Sequence, residues 1–349
     1  MFAKKIVAGA ALLAVAAVAQ AEVKLYGSLD LSVGSFKNPG QKATTQVSSG
    51  NMMTSFIGFS GSEDLGGGLK AEFALESFLL PDTGNSSNVY NNAGGFWGRG
   101  SNIALSGGFG KVAIGQYDNA LFTYGYTYNP FGSSMVFSPT MRHYYSLGAL
   151  GNNGAQSGYA PGGTASGAAI HADTGFVNSL TYETPVYSGF AGFLQWAPKE
   201  SSTTGSKDSF TLGGSYNAGP LSVALAYASI GAAGPIATYG PIQKVTALGG
   251  SYDFGVAKAF AQYTAINNKT AADDKIWQLG ASVPVTAAGS ALVSYGQDKK
   301  SNNNGTDKIF SVGYDHNLSK RTDVYGALTN EKAGSKSATS FAVGIKHAF

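Results

Sequence analysis

Few side chains in this sequence have the types and spacing that chemistry at a site requires. The four histidines, His143, His171, His316 and His347, are scattered, and none forms the HExxH pattern of a helical zinc site. Cysteine is absent, which excludes thiolate metal sites and disulfides together. Serine, histidine and aspartate are available, yet no Gly-x-Ser-x-Gly elbow is present to expose a nucleophile. No catalytic residue, metal site or cofactor is therefore expected. What remains is charge placed in alternating segments: Lys70, Glu72, Glu76, Lys111 and Glu183 each share a strand-like stretch with apolar neighbours one residue away. Such charges act on passing solutes rather than on bonds, provided the elements that carry them enclose water.

The N-terminus points to export. Lys4 and Lys5 precede an apolar stretch from Ile6 to Val18 and the small-residue pattern Ala19-Gln20-Ala21, the layout of a secretory signal peptide. An N-terminal membrane anchor is the alternative, but the stretch is short for a bilayer and ends in a cleavage pattern. The expected division is residues 1–21 as signal peptide and 22–349 as one domain. Removing the leader takes two lysines and no acid and leaves a formal charge of +1, which gives no reason to expect a nucleic-acid partner. The chain holds 49 glycines, 19 tyrosines and 20 phenylalanines, and only 12% of its residues are charged. No later apolar run approaches the ~20 residues of a spanning helix. An exported chain of this kind can still enter a membrane as a closed barrel, in which every backbone donor and acceptor is satisfied between strands.

Period-2 segments bounded by turn residues predict sixteen strands, from Lys24, Ser55, Leu69, Arg99, Gly110, Asn178, Phe190, Ser209, Pro220, Lys244, Val256, Lys275, Gly289, Lys308, Arg321 and Ser340. Short turns such as Glu63–Gly68, Val186–Gly189 and Asn317–Lys320 alternate with longer Asn/Ser/Gly-rich segments such as Ser35–Met53, Lys199–Lys207 and Glu331–Ala338. Short turns at one rim and long loops at the other characterise outer-membrane barrels, and an even strand number puts both termini on the short-turn, periplasmic side. Within strands one face is apolar. Leu69, Ala71, Phe73 and Leu75 alternate with Lys70, Glu72, Ala74 and Glu76. A two-sheet sandwich also alternates, but with its apolar faces inward. The leader, the alternating connections and the final strand ending on Phe349 favour the barrel. The fold expected is all-β, a sixteen-stranded antiparallel transmembrane barrel, wide enough to leave an aqueous channel.

Leu25–Asp30 (LYGSLD), Gly58–Ser77 (GFSGSEDLGGGLKAEFALES), Leu105–Asp118 (LSGGFGKVAIGQYD) and Val343–Phe349 (VGIKHAF) resemble general porins of β-proteobacteria, the neisserial and Burkholderia type. The similarity runs through most of the chain after the leader. It implies a homotrimer of sixteen-stranded barrels in the Gram-negative outer membrane, with the third long loop folded into each lumen. The segment between Asp118 and Phe176 holds that place, and Asn129-Pro130-Phe131-Gly132 resembles the family's turn in that loop. Two departures weaken the transverse field such pores carry: Phe56 and Ser60 stand where arginines are usual, and no acid lies between Asn119 and Ala172.

The candidate pore-lining and constriction residues are therefore Lys70, Glu72, Glu76, Lys111, Glu183, Phe56, Arg99, Asn129, Pro130, Phe131, Gly132 and Arg142. Arg99 opens the fourth strand, where its parity with Ile103 points it outward or to the rim. Arg142 follows the constriction turn. Trp97, Trp196 and Trp277 lie near strand ends, as interfacial aromatic girdles do. The expected function is passive diffusion of small hydrophilic solutes and ions, with outer-membrane lipid around the barrel. A solute-specific channel would use Tyr124, Tyr126, Tyr128 and Phe131 as a sugar slide, although these rings serve equally well to pack the loop on the wall. A barrel hydrolase and a plugged adhesin barrel are the remaining alternatives.

Overall fold

The computed structural model describes residues 22–86, 96–146, 175–200, 202, 207–231, 242–268, 272–301 and 305–349; the leader lies outside these. The described strands are β1 (Glu22–Phe36), β2 (Thr44–Ser49), β3 (Phe56–Gly66), β4 (Leu69–Leu80), β5 (Asn85–Ser86), β6 (Gly100–Gly107), β7 (Gly110–Asp118), β8 (Gly175–Glu183) and β9 (Phe190–Ala197). They continue as β10 (Ser209–Ala218), β11 (Leu221–Ser229), β12 (Ile242–Asp253), β13 (Lys258–Asn268), β14 (Asp274–Pro284), β15 (Gly289–Lys300), β16 (Thr306–Asn317), β17 (Thr322–Ala333) and β18 (Lys336–Ala348). Neighbours pair antiparallel, and β1 pairs with β18 from Ser28↔Ala348 to Ser35↔Phe341, so the sheet closes on itself. Phe349 completes the seam, its N–H donating to the Gly27 carbonyl at 3.1 Å. Closure pairs every described wall strand on both sides, the condition for a sheet in lipid.

Eighteen strands make sixteen wall positions. The second edge of β1 pairs with β2 through Leu31–Phe36 and with β3 through Glu22–Ser28, so β2 and β3 are two halves of one wall strand. β5 is a two-residue hairpin on the end of β4. The residues between β2 and β3 leave the ladder, and the buried carboxylate of Asp30 takes their place as acceptor. Its Oδ2 receives the N–H groups of Met52 and Met53 at 2.6 and 2.8 Å, and its Oδ1 receives the Tyr325 hydroxyl at 2.8 Å. The Asp30 N–H donates to Ser55 Oγ at 2.9 Å.

Two connections differ from expectation. Part of Ser35–Met53, read as a long loop, is β2 (Thr44–Ser49), because the pairs Thr44↔Phe36 to Ser49↔Leu31 continue the ladder. Glu331–Ala338, also read as a long loop, is a tight turn: pairing runs through Lys332↔Ser337 to Ala333↔Lys336, and Gly334 supplies the positive φ of +58°. Its Lys, Ser and Gly content mimics a loop, but the alternation of buried Glu331 with exposed Lys332 continues the strand.

The two faces of the wall are sorted as a membrane requires. Val293, Val312, Leu328 and Phe341 lie directly opposite one another across four strands and are all exposed on the outside. Inner positions such as Gln195, Thr211, Thr264, Gln278 and Ser311 are buried and polar. In water the outer row would be an aggregation surface; against lipid tails it is the stable arrangement. Trp196 and Trp277 sit on the outer face, Trp277 with its ring edge-on to Tyr295 at 5.5 Å, and Trp97 packs against Phe59 at 6.0 Å.

Candidate pore constriction

The long connection after β7 folds inward because its first residue caps a helix and ties it to the wall. Asn119 Oδ1 accepts from the Leu121 N–H at 2.9 Å, starting α1 (Ala120–Thr127), while its Nδ2 donates to Gln195 Oε1 and Thr211 Oγ1, both at 2.8 Å. One asparagine thus joins β9, β10 and the helix start. The segment then runs along the inner wall toward β17 rather than across the open lumen.

Glycines on the inner face make room for it. A Cβ at Gly249 would meet the Tyr128 ring at 2.4 Å, one at Gly280 would meet Pro130 Cδ at 2.7 Å, one at Gly313 would meet the Phe131 ring at 3.0 Å, and one at Gly296 would meet Pro139 Cβ at 2.6 Å. These four positions, on β12, β14, β16 and β15, form a trough for four loop side chains. Asn129 shapes the turn within it: Oδ1 accepts from the Phe131 N–H at 2.8 Å, Nδ2 donates to the Gly125 and Gly132 carbonyls at 2.8 and 2.9 Å, and Gly132 adopts φ +53°. Further along, the Thr140 N–H donates to Gln278 Oε1 at 2.7 Å, and Ser134 Oγ donates to the Asn51 carbonyl at 2.6 Å. Phe131, Val136 and Phe137 pack with Phe36, Met52 and Tyr325.

Beyond the trough the segment is clamped by charge. Arg142 and Glu331 are each about 4% exposed, and Arg142 Nε donates to Glu331 Oε2 at 2.8 Å while Nη2 bonds the same oxygen. His143, beside it, is fully buried with neither ring nitrogen bonded. Burial first, then Arg142 and Lys300, push its imidazole down to about 3, so it stays neutral and the clamp keeps one charge pair.

Padding one side of the barrel leaves a cavity of about 800 Å³ against the other. Its lining includes Thr123, Tyr124 and Tyr126 of α1 on one side and Lys70, Glu72, Glu76, Lys111 and Glu183 of β4, β7 and β8 on the other. Burial, with smaller contributions from Tyr128 and Glu183, pushes the Tyr124 phenol up to about 12, so it remains a neutral donor. The opposing charges are interlocked. Lys111 Nζ lies 2.5 Å from Glu72 Oε2 and directly opposite Glu183 in the ladder, and Ser106 Oγ donates to Glu72 Oε1 at 2.5 Å. Arg99 pairs with Glu76, whose Oε1 also receives the Tyr26 hydroxyl at 2.5 Å.

Arg99 therefore does not point outward. It precedes the first residue of β6, so strand parity does not bind it, and its guanidinium lies 4.1 Å over the Phe56 ring inside the wall. Phe56 is inward but covered. Asn129, Pro130, Phe131 and Gly132 seat the loop: Asn129 and Phe131 are buried, and none of the four lines the cavity. Arg142 is buried in its ion pair rather than free in the lumen. Tyr128 and Phe131 are likewise spent on packing, which removes two of the four rings of a sugar slide. The sequence reading missed Asp30, Asn119, Glu331 and the four trough glycines. The odd signal available was an acid in an otherwise apolar-polar strand (Asp30); the trough has no signal short of the fold.

Replacing Lys111 with glutamine is expected to leave Glu72 without its paired cation, beside Glu183, and to shift the reversal potential under a KCl gradient toward cation selectivity, with step size little changed. An unmoved reversal potential would remove these groups from the conduction path.

Comparison with known proteins places this geometry. A Gram-negative porin family model matches residues 8–335. The chain is 34% identical to outer membrane porin protein 32 of Delftia acidovorans, with 96% of each chain covered. It is 28% identical to major outer membrane protein P.IB of Neisseria lactamica, over 99% of this chain and 100% of that one. Among solved structures it resembles an anion-selective porin from Comamonas acidovorans, at 28% identity and a TM-score of 0.74, covering 95% of this chain and 100% of the other.

Proposed function

The chain belongs to the Gram-negative porin family, an outer-membrane channel for passive diffusion, and from that premise we propose which part of it conducts and how selectively. The observation that carries the reading is the asymmetric lumen: α1 and the trough fill one side, and the cavity borders the strip of Lys70, Glu72, Glu76, Lys111 and Glu183. Ions and small hydrophilic solutes pass along this strip. Because Lys111 is neutralised by Glu72 and Arg99 by Glu76, neither sign dominates and selectivity is weak. Residues 1–21 are removed on export.

The working unit is a homotrimer. β6 to β9 are only eight or nine residues long, against eleven to thirteen for β12 to β18, at or below the 9–11 residues a tilted strand needs to span. Packing of neighbouring barrels against this low side covers its mismatch with the bilayer. Planar-bilayer recording tests both statements: conductance in steps of three with a small reversal potential is expected. Folded barrels that conduct singly, or not at all, would reject the trimer or the open path respectively.

A further inference from the structure

The outer face carries a cluster of lysines that conduction does not use. Lys275 of β14 lies directly opposite Lys299 of β15, and Lys308 of β16 lies directly opposite Lys332 of β17. Lys308 also faces Gln297, two residues from Lys299, so the four form one diagonal row over adjacent strands. All four are exposed, and among the described residues none has a carboxylate within 4.0 Å. Each is next in sequence to an acid, Asp274, Asp298, Asp307 or Glu331, but the pleat turns that acid to the inner face. Asp273, the remaining acid nearby, accepts the Asn268 N–H at 2.8 Å. The loop segments 269–271 and 302–304 contain no acid.

Like charges directly opposite in an antiparallel ladder repel, and here two such pairs are joined into one row. Inside, these carboxylates have cations of their own, Glu331 with Arg142 and Asp298 and Asp307 with Lys300, whereas the outer row has no counter-ion among the described residues. Its height identifies the partner. The lysines lie at the strand ends away from the β14–β15 and β16–β17 turns, Lys332 beside the tight turn to β18, and just below the row are Trp277, Tyr295 and Phe310 on the same face. Aromatic rings at that level mark the membrane interface, which puts the ammonium groups among the headgroups of the outer leaflet. The row spans three inter-strand spacings, about 14 Å, room for a headgroup bearing more than one phosphate.

We propose that Lys275, Lys299, Lys308 and Lys332 form a docking site for a phosphorylated outer-leaflet lipid, whose phosphates neutralise the row. The tall strands that carry it are distinct from the low β6–β9 side proposed for protomer contact, so a bound lipid and a trimer coexist. The test uses the purified oligomer in phosphatidylcholine nanodiscs, with bis-phosphorylated lipid A and its dephosphorylated form as probes and binding read by native mass spectrometry. The expected result is retention of the phosphorylated probe only. Changing all four lysines to glutamine is expected to weaken it by about 100-fold, a conservative sum of the per-lysine attraction. The fourfold arginine variant serves as the folding and charge control and keeps the lipid. Equal retention of both probes, or no loss in the glutamine variant, overturns the proposal. Displacement by millimolar inorganic phosphate with no preference for lipid assigns the row to free anion and also overturns it. Dissociation of the oligomer in the glutamine variant makes it a subunit contact, a third contrary result. Conductance measured on the same samples reports separately on the pore, since none of the four residues lines it.

Discussion

Substituting Arg142 by alanine is expected to release the constriction segment from β17 and to make the pore larger and noisier. Both partners of the Arg142–Glu331 pair are almost fully buried, so removing the cation leaves a carboxylate desolvated and unpaired. Breaking a buried pair in this way costs about 3–5 kcal/mol. That cost falls on the contact between the segment and β17, whereas the wall keeps its backbone ladders. The barrel should therefore fold and insert while single-channel steps increase and flicker between levels. Changing Glu331 to alanine as well removes the orphaned charge, and the double variant is expected to be less perturbed than the sum of the two single ones. Unchanged step size and noise in Arg142→Ala would show that the trough alone holds the loop.

The second large effect is expected at Asp30. Its carboxylate holds the N–H groups of Met52 and Met53 and the Tyr325 hydroxyl in the interior of the wall, where water cannot replace it. Alanine there leaves three donors unsatisfied, at about 1–3 kcal/mol for each that stays dry. The expected outcome is a marked fall in the urea midpoint for the folded barrel, together with faster amide exchange at Met52 and Met53. Asparagine keeps one carbonyl oxygen and should fall between the wild type and alanine. Protection at Met52 and Met53 that survives in Asp30→Ala would assign the interruption between β2 and β3 to the Ser134–Asn51 contact instead. The consequence reaches the pore, because Met52 packs in the cluster that holds Phe131 and Phe137 of the constriction segment.

The local rules of a strand account for much of what could be read in advance. Leu69–Glu76 has its charges on one face because side chains alternate, and that parity places Lys70, Glu72 and Glu76 inside once the apolar face is assigned to lipid. Arg99 escaped the same rule because it stands just before its strand, where alternation no longer applies and a long side chain can turn back to Glu76. The extent of Glu331–Ala338 escaped because a tight turn between polar strand ends has the composition of a loop. Asn119–Ser146 was legible as an insertion, through its length and its lack of charge, but not in its course.

Period-2 alternation, turn residues, the lengths of connections and the features of the two chain ends, all local properties of the sequence, were together enough to determine a barrel of sixteen wall strands with a polar interior. Only the tertiary structure decided which glycine receives which loop side chain, that Arg142 meets Glu331 across 189 positions, and that four lysines on four strands form one row. Those contacts depend on the stagger between distant strands and on the path of a loop through the lumen. Both follow from closure of the whole sheet, and no local stretch of sequence carries that information.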